Sequence, residues 1–215
     1  MAEDLDTLVR RVDPDRWLSS RFVADPAARA DLIALYALDH EMTRIPQVVS
    51  DPLMGEIRMT WWREGLEEIA DGRPPRAHPV LRAVAAGALP APALAALAEA
   101  RLGDLDGPRS GEQALVHADA TEGLVMALAA RRLSNGATAD QVKQAARAFA
   151  LARVDGPAAL TALKASAAEL ARLPVAAFPA VAHAALAGRY ARGAAPGELE
   201  KRLRLFFAVL RGRIA

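Results

Sequence analysis

The chain contains no cysteine, which excludes disulfides and thiolate metal sites and gives no sign of an oxidising compartment. Aromatic residues make up only 5% of its 215 positions. Valine and isoleucine are sparse and no segment alternates for long, so a sheet is not expected. Charge of neither sign dominates, with 27 basic against 26 acidic residues, and no global field is available to recruit nucleic acid. The longest apolar run, PVAAFPAVAHAALAG at 174–188, carries two prolines and His183 and is shorter than the ~20 residues that a spanning helix needs. The opening MAEDLDTLVRRVD is acidic, then basic, and lacks the apolar core of a signal peptide. A cytoplasmic protein is expected, with association at the inner face of a membrane left open.

What the chain has in quantity is alanine, leucine, arginine and glutamate, all strong helix formers. Helix starts are marked by Asp-Pro at 13–14, 25–26 and 51–52. In each pair the aspartate can cap orphan N–H groups, and the proline sits where a helix needs no amide donor. Helices are therefore expected from Pro14, from Pro26 to about Arg44 or Ile45, and from Pro52 to Gly72. Shorter ones follow at 79–86 and 91–102. Long ones are expected at 112–134 and 138–153, then from the VDGP break to about Arg172, through the Pro174 and Pro179 region to about Arg192, and at 196–212. The expectation is an all-α fold, a single domain over 1–215 with about eight to ten helices. The many alanines should let those helices approach closely.

On the 26–45 helix the apolar positions are Leu32, Leu35, Tyr36, Leu38, Met42 and Ile45. Asp39 lies three residues after Tyr36 and four after Leu35, on or beside that face. A carboxylate there is costly unless paired. The structural reading gives Asp39 an arginine from a neighbouring helix, expected to be Arg58 on the next helix, packed antiparallel. The alternative reading is a pocket residue.

The stretch LYALDHEMTRIPQVVSDPLMGEIRMTWWREGLEEI resembles the squalene/phytoene synthase family, which joins isoprenoid diphosphates head to head inside an all-α bundle. The resemblance rests on Leu35 to Leu38, Pro52, Gly55, Glu56, Arg58, Trp61, Trp62 and Arg63. It continues more loosely through EARLGDL (99–105) and HADATEGLVMALAARRL (117–133), covering about 15 to 210 and matching best over 15–134. The resemblance implies an isoprenoid-synthase-like bundle. In active members, two aspartate-rich helical motifs hold Mg²⁺ against the departing diphosphate.

At the first motif the matching positions here are Thr43, Arg44 and Gln47, neutral or cationic. Asp39 and Glu41 come one turn too early and diverge by about 200°. At the second motif only Asp155 is available. The pattern therefore resembles a branch of the family that keeps the fold without the aspartate pairs, which includes a complex I assembly factor related to phytoene synthase. Its character is matched at Arg44, Val48 or Val49, Ser50, Pro52, Arg58, Met59, Trp61 and Trp62.

Other clusters have a plain structural reading beside a functional one. Trp61 and Trp62 point about 100° apart, one to the core and the other to an interface or cavity wall. Arg58 is i, i+4 to Trp62 and can cover its ring. Arg101 and Asp104 form a local i, i+3 pair. Asp119 and Glu122 are the best remaining same-face carboxylates, read as a solvated face in preference to a metal site. His40, His78, His117 and His183 have no ligand spacing, so a zinc site is unsupported. The last helix places Leu199, Leu203, Phe206, Phe207 and Leu210 on one side, with Lys201, Arg202, Arg204, Arg211 and Arg213 around them. A terminal core helix with a solvated basic face is preferred, and weak docking on an anionic membrane is the second reading.

The candidate pocket is Tyr36, Asp39, Thr43, Arg44, Arg58, Trp62, Arg101 and Asp104. The functional expectation is a lipid- or prenyl-binding, or respiratory-complex assembly-type, protein with a protein partner. It would lack head-to-head prenyl transfer and need no cofactor. The first alternative is a working prenyltransferase using Mg²⁺, with Asp119 and Glu122 as unconventional ligands, and the second is a peripheral membrane-surface protein acting through its basic last helix.

Overall fold

Each Asp-Pro pair opens a helix in the computed structural model, which describes residues 4–214. Asp13 caps α2 (Pro14–Ser20) through the Arg16 amide, Asp25 caps α3 (Pro26–Thr43) through Ala27 and Ala28, and Asp51 caps α5 (Pro52–Ala70) through Leu53. α5 ends before Gly72, whose φ of +75° is the left-handed conformation that glycine adopts without a Cβ penalty. Helices α6 (Pro79–Ala86) and α7 (Ala91–Leu102) fall at the expected bounds. No strand occurs among the described residues.

The described residues form thirteen α-helical segments, and the excess over the expectation has three sources. Asp4 caps an additional short helix, α1 (Leu5–Val12). Pro46 lies in the first turn of α4 (Ile45–Val48), which carries the chain from α3 to α5. The expected long helix at 112–134 is interrupted by a π-turn at Asp119–Gly123, which separates α8 (Gly111–Ala118) from α9 (Leu124–Leu133). Beyond it lie α10 (Lys143–Leu151) and α11 (Gly156–Leu170), the latter capped by Asp155. The proline-interrupted segment is mostly 3₁₀ at Val175–Ala180 and Ala182–Leu186, then α12 (Ala187–Tyr190), and α13 (Glu198–Arg211) closes the fold.

α3 is the central helix. It buries Leu32, Ile33, Leu35, Tyr36, Leu38 and Met42, residues that cover most of its circumference. A helix apolar on nearly every side must be surrounded, and α3 packs against α1, α6 and α9, with α2 and α7 touching it as well. The main apolar core runs from Val9 to Ile214 around it, and a smaller alanine-rich cluster joins α10 to α11. α5 packs along α7 and not along α3 as expected, and it buries Met59, Trp62 and Leu66 in the main core.

Small residues set the closest contacts. A Cβ on Gly156 would stand 2.3 Å from the Ala191 carbonyl oxygen, where only backbone could give way. Gly156→Ala should therefore destabilise the fold by about 1–3 kcal/mol through overpacking. Urea denaturation checks this, and an unchanged midpoint would contradict it.

Candidate functional site

The buried acid on α3 finds two arginines. Arg16 on α2 donates from Nη1 to Asp39 Oδ2 at 2.9 Å, and Arg101 at the end of α7 donates from Nη2 to Asp39 Oδ1 at 2.6 Å and from Nε at 3.1 Å. Arg16 also reaches Asp13 at 3.2 Å and forms an ion pair with Glu122. Arg101 reaches Asp104 at 3.3 Å, whose other oxygen lies 2.6 Å from His117 Nε2. At the far end Glu122 stands 3.6 Å from His183 Nε2, and the His183 ring meets Phe149 edge-on. Arg16, Asp39, Arg101, Glu122 and His183 are all buried.

The π-turn explains how Glu122 reaches this centre. The extra residue in the turn separates Asp119 from Glu122, which on a regular helix would share a face. Glu122 goes inward to Arg16, and Asp119 turns to Arg147 on α10, with two oxygens each 2.6 Å from guanidinium nitrogens, and to Lys143 at 3.4 Å. The expected solvated face is corrected here, since Glu122 is buried and Asp119 is paired.

Burial by itself would raise the Asp39 carboxyl, but the Arg101 and Arg16 guanidiniums beside it outweigh burial and hold it below the usual carboxylate range. Glu122 is likewise pushed up by burial and brought down further by Arg16, ending below its ordinary value. Arg16 loses by burial and gains more from Glu122, Asp13 and Asp39, so its charge is secured. Tyr36 is raised, chiefly by burial, and stays a neutral phenol. Its hydroxyl, Arg16 Nε, Glu122 Oε1 and both His183 ring nitrogens are buried without a hydrogen-bond partner.

Of the sequence candidates, Tyr36, Asp39, Arg101 and Asp104 come together here. Thr43 spends its hydroxyl on the Asp39 and His40 carbonyls of its own helix. Arg44 is exposed and pairs with Glu41. Arg58 is exposed too, which corrects its expected pairing with Asp39. The guanidinium over an indole of the tryptophan pair is that of Arg76, over Trp61 at 5.3 Å. Trp62 is buried against Trp61 and His78, and Arg44, Arg58 and both tryptophans line a surface cavity of about 130 Å³. Sequence reasoning missed Arg16 and His183 as site residues, and it missed the inward turn of Glu122. Arginine and glutamate are ordinarily surface residues, and the only hint was the need of Asp39 for a cationic partner.

This donor set does not fit Mg²⁺. The ion is bound through one or two free carboxylates, completed by waters and substrate phosphates in octahedral geometry, whereas Asp39, Glu122, Asp119 and Asp104 are each tied to a cationic or imidazole side chain. Among the described residues no group of three or more His, Asp or Glu is placed to hold a metal ion. Asp155 is occupied as the α11 cap, accepting from the Ala158 amide at 3.0 Å.

An all-α bundle closed around a buried aspartate–arginine centre is the class that the geometry defines. The family model of squalene/phytoene synthase matches residues 9–153, more than half of the chain, and the chain belongs to that family. Neither the curated proteins nor the solved structures gave a match.

Asp39→Asn removes the charge that both arginines answer and should cost about 3–5 kcal/mol. Arg58→Met, at an exposed position, should stay within about 0.5 kcal/mol of the parent. Because Asp39 and Glu122 are depressed in the fold, their contribution is present above the unfolded carboxylate values and lost as pH falls through the folded ones. Stability should therefore drop below about pH 4, and less steeply in Asp39→Asn. Thermal melts against pH check the slopes, and identical acid limbs in parent and variant would contradict this.

Proposed function

We propose that this squalene/phytoene synthase family member no longer performs head-to-head prenyl transfer and uses the bundle as a binding scaffold, as a lipid- or prenyl-binding or respiratory-complex assembly-type factor. The observation that carries this reading is the buried centre itself. Guanidiniums stand against Asp39 and Glu122, so neither of these buried carboxylates is free to serve a metal. The positions that match the family's first aspartate pair hold Thr43, Arg44 and Gln47, none of which supplies a carboxylate to a divalent cation.

A scaffold needs presentable surface. The first turns of α5 expose Leu53, Met54 and Ile57, followed by Trp61, within about 100° of the helix circumference. Val48 on α4 is also exposed. Isolated exposed apolar residues are ordinary, but a contiguous set favours an interaction site, and this set supports a protein-partner role.

Calorimetry with farnesyl and geranylgeranyl diphosphate, with and without Mg²⁺, tests the loss of transfer chemistry. No Mg²⁺-dependent heat is expected. Micromolar, Mg²⁺-dependent affinity would overturn the reading and restore a working prenyltransferase.

A further inference from the structure

α13 is mounted the opposite way round from an ordinary surface helix. Its inward side is Lys201, Leu205 and Ala208, with the Lys201 ammonium 2.9 Å from Asp15, a buried acid on α2. Asp15 also accepts from the Tyr190 hydroxyl at 2.6 Å and from Arg153 at 3.2 Å. An acid buried there demands cations, and meeting it with Lys201 fixes the rotation of α13. The five large apolar residues of the helix are left facing out, with exposures from 42% at Phe207 to 71% at Leu199. This corrects the expected core face and solvated Lys201.

At about 100° per residue, Leu199, Leu203, Phe206, Phe207 and Leu210 fall within a stripe about 100° wide. Arg202 borders one edge, Arg204 and Arg211 border the other, and Arg213 follows the helix end. Of the acids nearby, Glu200 is held between Arg189 at 3.1 Å and Arg204 at 2.8 Å, and Glu198 lies 3.7 Å from Lys201. Overlapping the stripe, an open groove of about 750 Å³ is lined by Leu203, Phe207 and Ile214 together with Arg204, Arg211, Arg213 and the paired Glu200. No helix among the described residues is long and apolar enough to cross a membrane.

We propose that α13 docks this protein on an anionic bilayer surface, with the Leu199–Leu210 stripe lying among the acyl chains and the arginines at both edges meeting lipid phosphates. Charge selects this occupant. A second copy laid face to face on the stripe, parallel or antiparallel, sets arginine edge against arginine edge, whereas a layer of anionic headgroups neutralises both. An apolar stripe between cationic borders is the pattern of helices that lie in the membrane interface. The docking is independent of whether the bundle has kept prenyl transfer.

The test is co-sedimentation of the full chain with phosphatidylcholine vesicles containing or lacking phosphatidylglycerol, together with light scattering for its oligomeric state. Binding is expected only with phosphatidylglycerol. It should weaken as salt shortens the screening length, and Arg202→Gln/Arg213→Gln should weaken it too. In Phe206→Ser/Phe207→Ser, binding should fall by roughly tenfold or more, since both rings leave the bilayer. Both rings are exposed, so circular dichroism should report an unchanged helical fold, and Leu210→Ser provides a second variant if it does not. The proposal is overturned by absent binding to phosphatidylglycerol vesicles or by serine variants that bind as the parent does. A stable dimer that the serine variants dissociate, without vesicle binding, would assign the stripe to a second copy and overturn it as well.

Discussion

Asp39 is the constraint around which the molecule is arranged. It sits on a helix surrounded by apolar neighbours, and its charge has no route to water. Arg16 and Arg101 answer it from opposite oxygens, one from α2 and the other from the end of α7. Two arginines bring one charge more than Asp39 carries, and Asp13, Glu122 and Asp104 take up the guanidinium groups that Asp39 leaves over, so the cluster holds four carboxylates to two arginines. Drawing Glu122 inward goes with the π-turn, which in turn leaves Asp119 to Arg147. A tie between α2, α3, α7 and the α8–α9 junction thus follows from one buried carboxylate. Such networks add little stability over a well-packed apolar centre, but each member becomes expensive to remove.

The same logic operates twice more at the edge of this centre. Asp31, also buried on α3, is met by Arg132 of α9, while its other oxygen lies against the close approach of Gly87 and the Ala88 amide. Asp15 gathers Tyr190, Arg153 and Lys201 and so decides which side of α13 faces outward. Buried acids therefore govern both the interior of this family member and the surface it presents. The proposed loss of transfer chemistry and the proposed lipid-facing helix have a common physical origin: carboxylates used as anchors for cationic side chains from other elements.

The helical skeleton was legible because its signals are local. Asp-Pro caps, the glycine after α5 and the apolar spacing of α3 act within one turn, and the proline-containing breaks at 73–79 and 87–92 bound α6 and α7 just as locally. The need of Asp39 for an arginine was legible for the same reason. Which arginine was not, because α5 packs along α7 and takes Arg58 away from α3, a tertiary choice with no signature within one helix. The π-turn was hidden, since one inserted residue leaves the composition of the 112–134 segment helical. The orientation of α13 was misjudged because the apolar stripe was assumed to be the buried one. The competing requirement, Asp15, lies 186 positions before Lys201.

Asp39 and Glu122 are proposed to serve as counterions to Arg16 and Arg101 and not as metal ligands. Crystals grown with Mn²⁺ and inorganic pyrophosphate, examined by anomalous scattering, address this directly. The expected result is no manganese within coordination distance of Asp39 or Glu122, with both arginines still seated on their carboxylates. A manganese ion bridging either carboxylate to pyrophosphate, with Arg16 or Arg101 displaced, would contradict it.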